Sequence, residues 1–196
     1  MNITDLNSLD DNTLINIKTE IESILKTRHN SAITHTIPDT KPDADLTIWV
    51  DGSFNADTKE YAYGVVVIND TTETYYNKRF SESEMSSMRN VAGEIEAARF
   101  AILTAIRAKA KSCHIVYDYQ GIEMWATKAW KANKSGTKAY AELFDKYKNQ
   151  CKFTFEHVKG HTGVKYNDYC DALAKAALGI SYAKKFDNVI NKAITN

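Results

Sequence analysis

The order of strand-like and helix-like segments after Leu46 restricts the fold more than any other feature of this sequence. Three short runs rich in β-branched and aromatic residues come first, and helical and strand-like segments then alternate. This order predicts an α/β architecture in which a mixed sheet is covered by helices. The predicted strands span residues 46–50, 61–68, 74–80, 113–117 and 152–158, and the predicted helices span 90–109, 121–131, 137–148 and 167–178.

A separate segment precedes this pattern. Apolar residues recur at helical spacing from Leu14 to Leu25, and both prolines of the chain, Pro38 and Pro42, follow them. We therefore predict an amphipathic helix and a linker over residues 1–45, a main domain over 46–180 and a short helix or frayed tail over 181–196. The apolar face of the first helix has three candidate docking surfaces: the main domain, a second copy of the chain or another protein.

Composition limits the cellular setting. No apolar run in these 196 residues approaches the ~20 residues that a membrane span needs. The residues from Met1 to Asp5 show neither the basic start nor the apolar core of a secretory signal, so we expect a cytoplasmic protein. The three cysteines form no CxxC pair, and we expect them to be buried, reduced thiols.

The charge balance is uneven along the chain. The 25 Lys and Arg residues equal the 25 Asp and Glu residues in number, so the formal net charge is zero. Residues 1–50 carry eight acids against four bases, a net charge of −4, which leaves +4 for residues 51–196. This distribution permits a nucleic-acid partner without establishing one.

Two aspartates follow apolar strands. Asp51 comes directly after Leu46–Val50, and Asp118 comes directly after the strand over 113–117. Ligands of open α/β sheets collect at the carboxyl ends of strands, so these two side chains can share one site if their strands are neighbours. Each also fits an ordinary role, because Asp51 precedes a turn-forming glycine and Asp118 can cap the helix that follows it.

Two further acids lie on predicted helices, and each has a competitor. Glu94 lies near the start of the helix over 90–109, beside small residues that allow a close approach to the sheet. Glu96 points about 200° away around that helix, so the two cannot both face the sheet. On the last helix, Asp171 and Asp168 fit the pattern equally well. The helix dipole alone also favours an acid in a first turn.

Five motifs carry a resemblance to a known family. Their residues are Val50–Ser53, Gly93–Ala97, Asp118–Gln120, Val158–Gly163 and Asn167–Ala174. In this order and at these spacings they resemble ribonuclease H type 1, from about Leu46 to Gly179. Residues 89–94 and 130–137 look most like the ribonuclease H domain of viroplasmin-type bacterial proteins, although the N-terminal hybrid-binding module of such proteins is not recognisable here.

The resemblance implies a ribonuclease H-like fold, with a five-stranded mixed sheet flanked by helices and preceded by the short N-terminal helix. It assigns metal binding to Asp51, Glu94, Asp118 and Asp171, and so decides against the two competing acids. Four carboxylates without a nearby thiol or imidazole cluster suit a hard cation, and we expect two Mg²⁺ ions, with Mn²⁺ as a substitute. By the same resemblance, His161 assists proton transfer and product departure; by itself it is equally an ordinary loop histidine.

The implied activity is endonucleolytic hydrolysis of the RNA strand of RNA–DNA hybrids, which leaves 5′-phosphomonoester products. Family positions that contact the RNA strand and its 2′-hydroxyl groups correspond here to Gly52, Ser53, Asn90 and Gln120. Basic and polar residues that would follow the DNA phosphates are Lys131, Ser135 and Thr137. The plainer interpretations are a helix cap at Asn90 and solvated helix faces around Lys131. For the whole protein, the alternatives are a non-catalytic hybrid-binding protein and another metal nuclease of the same superfold.

Overall fold

The computed structural model describes residues 44–70, 72–81, 83–160 and 162–195. The predicted N-terminal helix and its proline-containing linker up to residue 43 lie outside the described residues. The strands are β1 (Leu46–Phe54), β2 (Tyr61–Asn69), β3 (Thr72–Phe80), β4 (Ser112–Tyr117), β5 (Lys152–His157) and β6 (Ile194–Thr195). The helices are α1 (Ser83–Ser86), α2 (Asn90–Arg107), α3 (Gly121–Ala126), α4 (Ser135–Tyr147), α5 (Lys165–Ala177) and α6 (Asp187–Ile190), with a 3₁₀ turn at Lys184–Phe186.

The strands form one mixed sheet in the order β5-β4-β1-β2-β3-β6. β2 pairs antiparallel with both β1 and β3, whereas β4 pairs in parallel with both β1 and β5. The predicted α/β architecture with a five-stranded mixed sheet is therefore confirmed. The predicted tail adds a sixth strand of two residues, which pairs in parallel with Tyr76 and Asn77 of β3.

Alternating residues of the strands contribute side chains to two hydrophobic cores. Ile48 and Val50 of β1 belong to the larger core, which they share with residues of α2, α3 and α4. Trp49, between them in sequence, packs with the smaller core around Cys170 and Leu173 of α5. Successive side chains of a strand point to opposite faces, so helices cover both faces of the central strands. Among the described residues, no helix combines the length and the hydropathy that crossing a membrane requires.

The first strand is longer than predicted. It continues to Phe54, so the prediction that Asp51 ends an apolar strand is wrong. The reason lies in its two neighbours: β4 pairs with β1 only as far as Trp49, whereas β2 pairs with it as far as Phe54. At Asp51 the strand is still paired with β2, but it is no longer paired with β4 on its other side.

The helix after β4 is shorter than predicted. It ends at Ala126 instead of continuing to residue 131. Lys128 takes a positive φ of 64°, which no right-handed helix permits, and the backbone N–H of Trp130 turns back to donate to the carbonyl of Met124 at 2.9 Å. The chain therefore reverses, and the two indole rings of Trp125 and Trp130 lie 6.2 Å apart.

A polar network ties the start of α5 to β3. The Oε1 atom of Glu73 accepts hydrogen bonds from the Tyr166 hydroxyl at 2.5 Å and the Lys165 Nζ at 3.2 Å, and its Oε2 accepts one from Tyr75. Burial raises the pKa of Glu73, but these donors outweigh that effect and hold it below its usual value. The network fixes the N-terminal turn of α5, the helix that carries Asn167 and Asp171.

The sheet and α5 approach each other closely at Gly64. A Cβ atom added to this residue would lie 2.0 Å from the carbonyl oxygen of Cys170 and 2.8 Å from the backbone nitrogen of Ala174. Both are backbone atoms of a packed helix, so they cannot move aside locally. Any side chain at position 64 must push α5 away from the sheet.

We expect Gly64→Ala to lower the free energy of unfolding by about 3 kcal/mol or more, because it overpacks this interface. Urea unfolding measures the loss. Gly179→Ala is the matched control: it meets nothing within 4 Å, but its φ of +66° adds a backbone cost of about 1 kcal/mol. Equal losses in the two variants would contradict the clash.

Candidate functional site

Asp51 and Asp118 occupy equivalent places on neighbouring parallel strands. The last residue pair between β1 and β4 joins Trp49 to Val116, and each aspartate lies two residues beyond it. Asp118 directly follows β4, as predicted from the sequence. The two strands part at this point, at the carboxyl end of β4, where open α/β sheets gather their ligands.

Glu94 reaches the two aspartates because α2 lies directly on β1. A Cβ added to Gly52 would be 2.2 Å from the backbone nitrogen of Glu94, and one added to Gly93 would be 2.3 Å from the carbonyl oxygen of Ala62. The predicted close approach of this helix is therefore present, and glycines on both sides allow it. One carboxylate oxygen from each of Asp51, Glu94 and Asp118 lies within 4.8 Å of the other two.

Burial makes this group of carboxylates electrostatically costly. Asp51 is 5% exposed and Glu94 is 2% exposed. Burial raises the pKa of Asp51 to about 8, and the charges of Asp118 and Asp171 add to the effect. Burial, followed by the charges of Asp51 and Asp118, raises the pKa of Glu94 well above its usual value. A hydrogen bond between the two side chains lowers the pKa of Asp51 and raises that of Glu94, and burial disfavours ionisation of both carboxyl groups.

The donor set suits a hard divalent cation. All three groups are carboxylates, and the Oε2 atom of Glu94 is buried without a hydrogen-bond partner. Buried polar atoms normally have a partner, so this oxygen is available to a ligand inside the pocket. Mg²⁺ and similar ions prefer oxygen ligands, and a bound cation would remove the repulsion among the three acids.

Asp171 lies close to this group without being part of it. Its negative charge contributes to the raised pKa of Asp51, but its Oδ2 accepts a hydrogen bond from Lys175 Nζ at 2.7 Å. Asp168, its competitor in the sequence pattern, is half-buried one turn earlier on α5. Glu96 pairs with Arg99 at 3.2 Å on the same helix as Glu94 and does not join the carboxylate group.

Asn167 is a residue of this site that the sequence interpretation missed. We predicted this helix to begin at residue 167, but α5 begins at Lys165 after Val164, so that boundary is wrong. Asn167 is 2% exposed, its Nδ2 donates to Asp118 Oδ2 at 3.1 Å, and its Oδ1 is buried without a partner. The available signal was its spacing of four residues from Asp171, which places both on one helix face.

A basic cavity of about 350 Å³ adjoins the carboxylates. Tyr119, which follows Asp118 in sequence, lines it together with Arg89, Asn90, Lys131 and Lys134. Arg89 holds a positive φ of 56° and precedes the first residue of α2, so the alternative of a helix cap at Asn90 is wrong. The surface of the site is therefore positively charged, and the buried group beside it is acidic.

The other predicted substrate residues differ in their accessibility. Gln120 and Ser135 are exposed at the starts of α3 and α4, and Ser53 is half-buried on β1. Thr137 is 4% exposed, and its hydroxyl donates to the carbonyl of Lys134 at 2.9 Å, so that proton is not free for a phosphate. His161 lies outside the described residues.

Comparison with known proteins gives consistent matches. A family model described as RNase H matches residues 43–179. A ribonuclease H of Idiomarina loihiensis is 27% identical over 144 residues, covering 66% of this chain and 85% of that protein. A ribonuclease H of Trichodesmium erythraeum is 22% identical over 143 residues, covering 70% of this chain and 91% of that protein. These matches do not distinguish a viroplasmin-type subgroup, which stays a prediction.

Solved structures share the fold. RNase H1 from the archaeon Halobacterium salinarum superposes with a TM-score of 0.57 at 20% identity, covering 68% of this chain and 97% of that one. The N-terminal RNase H domain of a Mycobacterium tuberculosis protein, fused to maltose-binding protein, gives a TM-score of 0.58 at 17% identity, covering 69% and 94%. The predicted ribonuclease H-like fold is thereby confirmed.

We expect the protein in EDTA to lose stability as the pH rises. In the folded state the pKa of Asp51 is raised to about 8, whereas the unfolded chain releases this proton near the ordinary aspartate value of 3.8. The folded state therefore binds more protons between these values, and its free energy of unfolding falls as the pH increases. Urea unfolding between about pH 5 and 8 measures the slope.

Part of this slope should come from Asp51. Asp51→Asn removes one carboxyl group whose pKa is raised and should make the slope shallower, whereas burial still raises the pKa of Glu94. Asp57→Asn changes an exposed acid in the turn after β1 and should leave the slope as in the original protein. An unchanged slope in the Asp51→Asn protein would contradict a raised pKa at Asp51.

Proposed function

Because the chain belongs to the ribonuclease H family, we propose that it hydrolyses the RNA strand of RNA–DNA hybrids as an endonuclease, with two divalent metal ions. The convergence of Asp51, Glu94 and Asp118 within 4.8 Å is the observation that carries this proposal. The proposed ligands are these three acids and Asp171. The proposed metal is Mg²⁺, with Mn²⁺ as a substitute.

The chain's own groups prepare the carboxylates for this role. Burial raises the pKa of Asp51 and Glu94, and both carboxyl groups must be ionised to act as ligands. The backbone N–H of Gly52 donates to Asp51 Oδ1 at 2.7 Å and orients it, and Asn167 does the same for Asp118. Divalent ions held by these carboxylates would supply an activated water and neutralise charge at the leaving oxygen.

The reaction breaks the bond between phosphorus and the 3′-oxygen of the preceding nucleotide. Water attacks the phosphorus in line with that bond, and the leaving 3′-oxygen takes up a proton. The products are a 3′-hydroxyl and a 5′-phosphomonoester. We assign proton transfer to His161 by its family motif.

The surface beside the carboxylates suits a nucleic-acid duplex. Asn90 and Gln120 are exposed next to Glu94 and Asp118, where polar groups can contact the 2′-hydroxyl groups of RNA. Arg89, Lys131 and the rest of the basic cavity suit phosphates of the other strand. Gly52 has a packing role in this structure, so we propose contact with RNA at its backbone only.

The domain boundaries complete the proposal. We assign catalysis to residues 46–180 and propose that the segment before them docks a protein partner or a second copy of the chain. This assignment requires no catalytic group from residues 1–45.

We expect Asp51→Asn to reduce hybrid cleavage by about a thousandfold or more, because it removes a charged ligand at the centre of the site. Hybrid binding, measured with a fluorescent hybrid in EDTA, should remain. Glu96→Gln is the matched control, since this acid lies two residues from Glu94 and pairs with Arg99 instead. Its cleavage rate should stay near that of the original protein.

The same assay separates the alternative functions. The original protein is given hybrid, duplex RNA and duplex DNA of one sequence with Mg²⁺ and, separately, Mn²⁺. Preferential cutting of duplex DNA would favour another metal nuclease of this superfold. Binding without cleavage under every condition would favour a non-catalytic hybrid-binding protein.

We expect Lys131→Ala to weaken hybrid binding similarly for all sequences and to reduce the salt dependence of log Kd by about 1, because it removes one phosphate contact. Titrations at several salt concentrations measure both effects. Lys192→Ala, at an exposed lysine near the C-terminus, is the control and should change neither. Equal effects of the two variants would place the phosphate contacts elsewhere.

A further inference from the structure

Asp171 forms an ion pair with a lysine. Lys175 lies one helical turn further along α5, and its Nζ is 2.7 Å from Asp171 Oδ2. The side chain of Lys175 is 31% exposed and that of Asp171 is 22% exposed, so the pair lies at the rim of the pocket. Among the described ion pairs, this one alone includes a member of the four-acid set.

The four acids therefore differ in their neighbours. Asp51 and Glu94 are deeply buried, and each lies beside other carboxylates. Asp118 keeps the amide of Asn167 on Oδ2. Asp171 has a full positive charge at hydrogen-bonding distance, and this charge occupies one of the oxygens that a divalent ion would use.

We propose that Lys175 competes with divalent metal for Asp171 and so sets the metal concentration at which the site fills. The inference rests on the proposed function, because it requires Asp171 to be a metal ligand. A lysine ammonium suits this role because it is a compact point charge on a flexible stem, and at a half-exposed position it can return to water when it leaves the carboxylate. Metal binding then includes breaking one ion pair.

A plain helix-surface ion pair is the competing explanation. Pairs at this spacing commonly add a few tenths of a kcal/mol to helix stability and have no further role. Such a pair would change the stability of the protein in EDTA but not the metal concentration needed to stabilise it. The midpoint of metal binding therefore separates the two explanations.

The test is metal-dependent thermal stabilisation of the full chain, with Mg²⁺ or Mn²⁺ alone as the titrant. We expect Lys175→Met to lower the midpoint metal concentration about fivefold. The variant removes the competing ion pair with Asp171, and a fivefold change corresponds to the upper end of the strength of a surface ion pair. Lys175→Gln should act in the same direction and serves if the methionine variant folds poorly. Lys175→Arg keeps a competing cation and should retain a midpoint near that of the original protein.

Lys148→Met is the matched control. It breaks a pair of similar length within one helical region, Lys148 Nζ to Asp145 Oδ1 at 2.6 Å, and removes the same unit of charge. Its midpoint should not change. If Lys175→Met and Lys148→Met shift the midpoint equally, the effect is one of net charge and the competition is refuted.

A second comparison tests whether Lys175 acts through Asp171. In an Asp171→Asn protein, adding Lys175→Met should leave the midpoint unchanged, and a persisting fivefold shift would overturn the inference. Failure of the proposed function gives a different result. In that case the original protein shows no stabilisation by either metal, whereas failure of the inference alone leaves that stabilisation intact and only the Lys175 effect absent.

Discussion

Mutual repulsion among carboxylates in a buried pocket is the constraint on which the rest of this structure depends. Asp51 and Glu94 are almost fully buried, and neither can ionise freely beside the other. Burial raises the pKa of both, and Lys175 pairs with Asp171 at the rim. A pocket of this kind favours an incoming divalent cation.

Tight packing must hold these carboxylates together against their mutual repulsion. Glycines provide it on both faces of the sheet, because Gly52 and Gly93 bring α2 onto β1 while Gly64 brings α5 onto β2. At each contact the nearest opposing atom belongs to the backbone. The acids are therefore carried by elements whose separation is set by hard contact.

The position of the charges explains how a chain of zero net charge suits a polyanion. Asp51 and Glu94 lie in a pocket where burial raises their pKa values, whereas Arg89, Lys131 and Lys134 line the adjoining cavity. Tyr119 connects the two regions: it lines the cavity, and burial together with the nearby Glu94 raises its pKa. Net charge averages over these regions, and a bound duplex would contact the basic cavity as well as the pocket.

The sequence by itself determined the order of the strands and helices and the motifs that carry Asp51, Glu94 and Asp118, because hydrophobic periodicity and short motifs are local properties. Tertiary structure alone decided where β1 ends, since that depends on which neighbouring strand still pairs with it. It also decided the partners within the site. Asn167 donates to Asp118, 49 residues away in sequence, because such a contact depends on distances and burial that arise only when remote segments pack together.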